Sequence, residues 1–265
     1  MRPHQPRRRR TVAVLLFLIC VEVASCCLLS SCAKPHVEKQ KESTANAPSS
    51  STAPQYPSPS ASDDQEIQRA AIDALGDGEG SIIVLDPQCG RIRAVVNPRL
   101  AFEQSFPTGS TIKTFTALMA LRLGLLDGES RSLCRGTFKR DGFQITCSHR
   151  KSGAPFTVDQ ALAYSCNVFF AGVSERLSPA TFRSTLAGYG FGERTGLNAP
   201  EAQGSIAAGE WHIEDGVGEG RALLVTPVQL ATAYAALFNG GHLYRTQLAR
   251  ADDFKVQERD RKSDV

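Results

Sequence analysis

Ser110-Thr-Ile-Lys113 sets a hydroxyl and an amine three residues apart, where a polar phrase gives way to an apolar run. That interval is close to one helical turn, so on a helix the two side chains share a face and lie within reach of each other. Such a pair is enough to activate a serine. A lysine that burial keeps neutral takes the hydroxyl proton, and the helix N-terminus favours negative charge developing on the attacked carbonyl oxygen. The chemistry implied is acyl transfer through a serine ester. Spacing alone carries little weight, because Ser31-Cys-Ala-Lys34 has it too. A second polar phrase, Tyr164-Ser165-Cys166-Asn167, interrupts an apolar stretch further along. Taken alone it reads as a polar stripe on a helix, with Cys166 a small buried thiol.

Several elements must position these groups. From Thr111 to Leu126 the apolar residues Ile112, Phe115, Leu118, Met119, Leu121, Leu123 and Leu125 predict a helix buried over most of its surface, with Gly128 just past its end. Val158 to Leu177 predicts a second helix, with Leu162, Phe169, Phe170 and Val173 inward and Pro179 beyond its end. A third runs from Pro227, a first-turn proline, to Leu237, and Asn239-Gly240-Gly241 stops it. Upstream, Glu66 to Leu75 predicts a short helix. Ser81 to Asp86 and Ile92 to Val96 predict a hairpin around Pro87-Gln-Cys-Gly90. The fold class expected is α+β and helix-rich, in one domain. Gly216-Val-Gly-Glu-Gly220 follows no predicted strand and lacks the GxGxxG spacing, which excludes a nucleotide loop. Trp211 and His212 precede it on a loop and are assigned to packing or surface.

The net charge of the 265 residues is +3, much of it in Arg7, Arg8, Arg9 and Arg10, which argues against a nucleic-acid-binding face. Those arginines precede the apolar run Thr11 to Cys20, an export-signal arrangement, and Glu22 argues against a permanent membrane-spanning helix. Leu29-Ser-Ser-Cys32 resembles a lipoprotein lipobox. Cys32 is preferred over Cys26 as the lipidated residue because a polar stretch follows it directly; an uncleaved anchor is the rival. Residues 1–31 are thus read as a signal peptide with lipobox, and 32–64 as a Pro/Ser-rich tether too poor in apolar residues to fold. Residues 65–245 are read as the globular domain and 246–265 as a charged tail. An exported compartment permits oxidation of Cys89, Cys134, Cys147 and Cys166. Cys134 and Cys147 bracket a Gly-containing segment that can fold back on itself, and form the expected disulfide. A metal site is the rival there. Its ligand candidates are Cys134, Cys147 and His149, with no CxxC, so no cofactor or metal is expected.

Context enlarges the first motif to Phe106-Pro-Thr-Gly-Ser-Thr-Ile-Lys113, followed at a distance by Tyr164-Ser-Cys-Asn-Val-Phe-Phe170. In that order the two resemble the SxxK and SxN motifs of the transpeptidase domain of penicillin-binding proteins, above all the class B enzymes. Val84 to Gly90, Tyr189-Gly-Phe-Gly192 with Thr195-Gly196, Gly218-Glu-Gly220 leading to Thr226-Pro-Val-Gln-Leu-Ala231, and Ala233 to Gly241 resemble further phrases of that family, so the likeness covers about residues 65 to 245.

The resemblance implies a β-lactamase/transpeptidase-like fold in a bacterial cell-envelope protein facing the periplasm or exterior. It makes Ser110 the acylated nucleophile and Lys113 its base. Ser165 would relay protons to the leaving group, and Asn167 would orient Lys113 and the substrate amide. Peptidoglycan stem peptides and β-lactams are the implied ligands, with the membrane, and another envelope protein, as partners. The family's third motif, Lys-Thr-Gly, sits on a strand that completes the oxyanion hole, and residues 246–265 hold no apolar run to supply one. Arg194-Thr-Gly196 does not replace it, since Leu197 to Glu201 reads as a turn. The C-terminal sheet strands are therefore expected to be missing and the hairpin exposed on one side. Losing an oxyanion donor costs about 10²–10³ in rate. The expectation is a transpeptidase-like acyl-serine domain, impaired or completed by a partner chain. The alternatives are a non-catalytic lipid-anchored envelope protein or truncated gene product, and then a β-lactamase or β-lactam sensor.

Overall fold

Polar caps followed by apolar residues at helical spacing start most of the helices. In the computed structural model, which describes residues 62–209, 211–248, 257 and 259, the order is α1 (Ser62–Leu75), β1 (Ile82–Leu85), β2 (Ile92–Val96), α2 (Pro98–Glu103) and β3 (Phe106–Pro107). A 3₁₀ turn (Gly109–Thr111) then leads into α3 (Ile112–Arg122), β4 (Thr137–Arg140), β5 (Phe143–Thr146), α4 (Val158–Ala163) and α5 (Asn167–Ser174). The order ends with α6 (Pro179–Gly188), β6 (Ser205–Ile206), α7 (Ile213–Val217), β7 (Leu223–Val225) and α8 (Pro227–Phe238). The segment read as a signal peptide, with Cys26 and Cys32, and nearly all of the expected tether lie outside the described residues. No described helix is long and apolar enough to cross a membrane.

Local chemistry explains the boundaries. Thr157 and Thr226 each form a capping box, with Gln160 and Gln229, so α4 and α8 begin with two orphan N–H groups satisfied reciprocally. Pro179 lies beyond the end of α5, as expected, and also starts α6 behind the Ser178 cap. The continuous helix expected from Val158 to Leu177 is broken. Ser165 adopts a left-handed backbone (φ 48°), and the Cys166 sulfur caps α5 by accepting from the Phe169 N–H. β4 and β5 pair antiparallel from Thr137↔Thr146 to Arg140↔Phe143, turning through Asp141-Gly142, both at positive φ as a two-residue hairpin requires.

The sheets are small: an antiparallel β1–β2 pair, a three-stranded β3-β7-β6 sheet and the β4–β5 hairpin. Helices dominate the core. Phe115 of α3 sits at its centre, edge-on to Tyr189, Phe191 and Tyr234 at 5.1–5.4 Å. A smaller core joins the β1–β2 hairpin to Phe102, Leu197, Val228 and Leu248.

The outer edge of β2 is partly occupied, where the sequence suggested an exposed face. Ile92 N–H donates to the Gln247 carbonyl (2.9 Å), and the Gln68 amide both donates to and accepts from the Val95 main chain (2.9 Å each). The packed unit also runs past residue 245. Thr246 and Leu248 are buried and Arg259 N–H bonds the Leu243 carbonyl, although charges surround these residues in sequence and hide them from an apolar-run criterion.

Asp64 anchors α1 to this hairpin. It is buried, accepts from Arg93 Nε at 2.8 Å and pairs with Arg91. Burial pushes its carboxyl up, but the hydrogen bonds and charges of Arg91 and Arg93 outweigh that and hold it below the usual carboxylate range. A depressed folded value contributes stability above the unfolded value of about 4, lost as pH falls through the folded value. Asp64→Asn should destabilise the fold by about 2 kcal/mol at neutral pH, read from urea midpoints. The gap to the unmodified protein should close on acidification below about pH 4.

Candidate active site

Ser110 lies exposed in the 3₁₀ turn, and Lys113 lies one turn on with only 1% of its surface exposed. Lys113 Nζ is 2.9 Å from Ser110 Oγ, 3.0 Å from Ser165 Oγ and 3.0 Å from the Ser165 carbonyl, and it also contacts Asn167 Oδ1. The structure thus brings together the four residues singled out in sequence. The Ser165 carbonyl and the Asn167 amide oxygen can only accept. A neutral amine donates its two N–H groups to them and turns its lone pair toward a hydroxyl. That is the state a general base needs, and burial favours it by pushing Lys113 down to about 8.

Each partner is held from elsewhere. Left-handed Ser165 reverses the chain between α4 and α5, which aims both its carbonyl and its hydroxyl at Lys113. Asn167 Nδ2 donates to the Thr146 carbonyl of β5 (2.9 Å), fixing its amide with the oxygen toward Lys113. Tyr234 of α8 donates to the Thr111 carbonyl (2.7 Å), and Thr116 of α3 donates to the Gly216 carbonyl of α7 (2.8 Å). Gly218 packs against the turn so closely that a Cβ there would fall 1.8 Å from the Gly109 carbonyl oxygen. Its φ of 94° is likewise a glycine conformation.

The sequence matches the penicillin binding protein transpeptidase domain over residues 80–264. The chain belongs to this family. Among curated relatives, peptidoglycan D,D-transpeptidase MrdA of Acinetobacter baumannii is 26% identical over 223 residues, 67% of this chain and 33% of that protein. Penicillin-binding protein 3 of Bacillus subtilis is 25% identical over 228 residues, 71% of this chain and 34% of that protein. The chain therefore spans about a third of these relatives' length. The transpeptidase domain of Burkholderia pseudomallei penicillin-binding protein 3 superposes with a TM-score of 0.63 at 24% identity, covering 77% of this chain and 64% of that one. The fold is accordingly the helix-rich α+β fold of penicillin-binding transpeptidase domains, with few strands among the described residues.

Arg194-Thr195-Gly196 is occupied otherwise. The Thr195 hydroxyl donates to Glu201 Oε2 (2.9 Å) and contacts the Thr246 hydroxyl, while the Gly196 N–H donates to Glu201 Oε1 (3.0 Å). Trp211 is buried and stacks on Phe182. Cys134 and Cys147, the expected disulfide, are free thiols with their sulfurs 3.6 Å apart. They share their space with two more groups: Cys166 Sγ lies 3.8 Å from Cys147 Sγ, and His149 Nε2 lies 3.7 Å from Cys134 Sγ. Cys166, expected from sequence as a small buried thiol, is buried; its place beside Cys147 is what the sequence did not announce. The supporting role of Thr146 leaves no signature in sequence, since a main-chain carbonyl does the work.

Serine reactivity should follow the titration of Lys113. Only the neutral amine accepts a proton, so β-lactam acylation should rise about tenfold per pH unit below a midpoint near 8 and level off above it. Lys113→Ala should slow it by about 10²–10⁴ and remove the pH dependence. Single-turnover acylation rates across pH measure both effects.

Proposed function

We propose that this chain is a penicillin-binding, peptidoglycan D,D-transpeptidase-like domain that works through an acyl-serine at Ser110. The observation that carries this reading is the burial of Lys113 Nζ within hydrogen-bond reach of Ser110, Ser165 and Asn167 together. Neutral Lys113 removes the Ser110 proton as Oγ attacks the peptide carbonyl of a stem peptide. The α3 N-terminus favours the negative charge that develops on the carbonyl oxygen. Ser165, in contact with Lys113, returns a proton to the leaving amine, and the carbonyl stays on Ser110 as an ester. An amine from a second stem peptide then attacks the ester, forms the new amide and frees Ser110. Asn167 holds Lys113 in place during both halves. A β-lactam opens by the same first half and remains on the serine.

A fluorescent penicillin is the direct test. Incubation with the full chain should give a covalent band that survives denaturation and disappears in Ser110→Ala. Absence of any Ser110-dependent adduct at saturating penicillin overturns the acyl-serine reading.

Export and anchoring belong to the same proposal, supported by the arginine-led apolar run and the small residues before Cys32. The domain would then stand off the membrane on its tether. Metabolic labelling with an alkynyl fatty acid should tag the chain and lose the tag in Cys32→Ser but not in Cys26→Ser; a tag that survives Cys32→Ser refutes the assignment.

A further inference from the structure

Behind the second motif, four side chains from three segments converge. Cys134 precedes β4, Cys147 and His149 follow β5, and Cys166 lies between Ser165 and Asn167. Their sulfurs and a histidine nitrogen all lie within 4.8 Å of one another. The measured separations are 3.6 Å for Cys134–Cys147, 3.8 Å for Cys147–Cys166 and 3.7 Å for Cys134 Sγ to His149 Nε2. A tetrahedral zinc with three thiolates and one imidazole needs sulfurs about 3.8 Å apart and sulfur–nitrogen edges of about 3.6 Å, from its bond lengths. These three of the six edges match that polyhedron, and the other three lie within 4.8 Å, so a small inward movement closes the set around an ion. A disulfide requires sulfurs at about 2.0 Å, uses only two of the cysteines and gives the others no part.

Burial pushes the Cys147 and Cys166 thiols up, and backbone N–H groups aimed at the sulfurs work against that. Gly136, Val168 and Phe169 each direct a backbone N–H at one sulfur, to Cys134, Cys147 and Cys166 respectively, at 3.4 Å. Such bonds stabilise negative charge on the sulfurs. His149 Nδ1 lies 2.8 Å from the Arg150 carbonyl, to which only an Nδ1–H can donate. That tautomer leaves the Nε2 lone pair facing Cys134, as a ligating histidine with an outer carbonyl partner requires.

We propose that Cys134, Cys147, His149 and Cys166 bind one zinc ion, which clamps the β4–β5 hairpin to the start of α5. Binding releases three thiol protons to solvent, forms three Zn–S bonds and one Zn–N bond, and involves no electron transfer. Because Cys166 is flanked by Ser165 and Asn167, the clamp also fixes the groups facing Lys113. Thr146, one residue before Cys147, supplies the carbonyl that orients Asn167. Metal binding stands on the cluster alone, whereas its effect on acylation rests on the acyl-serine reading above.

The test begins with the full chain purified under reducing conditions without chelator, its metal content measured by plasma mass spectrometry. One zinc per chain is expected, and cobalt substitution should give the visible bands of tetrahedral, thiolate-ligated cobalt. Cys166→Ser should weaken zinc binding by at least about tenfold. His149→Cys should keep one metal per chain and shift the cobalt spectrum, which separates ligation from loss of folding. Stripping the metal should lower penicillin labelling, and adding zinc back should restore it. A chain without zinc, zinc that is indifferent to both substitutions, or a Cys134–Cys147 disulfide in the peptide map each overturns the site. If zinc binds as described and penicillin labels nothing, the metal site stands and the acyl-serine reading fails.

Discussion

Burying an amine is the constraint around which this domain is arranged. Lys113 sits on a helix whose other inward residues are Ile112, Phe115 and Met119, and a charged ammonium there costs several kcal/mol in lost hydration. The fold meets this by surrounding the nitrogen with oxygens drawn from distant parts of the chain. They come from the turn before α3, from the reversal between α4 and α5, and from the first residue of α5. Burial brings the neutral amine within reach by pushing Lys113 down to about 8, while the surrounding oxygens accept from either form. The same burial that makes the charge costly moves the residue's titration toward neutral pH.

Everything that holds those oxygens in place is therefore part of the site, however far from Ser110 it begins. Helix α7 reaches α3 through the Gly216 carbonyl and supports the turn that carries Ser110 through Gly218. Helix α8 reaches the same turn through Tyr234. The β4–β5 hairpin reaches Asn167 through a single carbonyl. These are rigid elements touching at short polar contacts, an arrangement that fixes geometry more tightly than loops could.

Much of this was legible in sequence, because strong local signals and tertiary packing agree there. Pro227 at a helix start with Asn239-Gly240-Gly241 at its end delimited α8 closely, and short β-branched runs on either side of a Gly-containing turn placed β1 and β2. Ser110 and Lys113 were legible because two residues on one turn must be neighbours. The break between α4 and α5 was not: Leu162, Phe169 and Phe170 all point inward, so the apolar pattern runs on across a residue whose left-handed backbone no composition announces. The burial of Cys166 was legible, but its meeting with Cys147 and Cys134 was not, since they lie 19 and 32 positions away and come together only once the hairpin has folded back. Leu248 and Thr246 were hidden by the charges around them.

The occupied edge of β2 bears on how the protein behaves in company. A short hairpin with a bare flank invites strands from other molecules, which extend the ladder and end in precipitation. Here Gln68 takes both main-chain groups of Val95, and Gln247 takes those facing it near Ile92, so a foreign strand would have to displace two glutamine contacts before pairing. Helix α1 thus covers main-chain groups that would otherwise be open to a strand from another molecule.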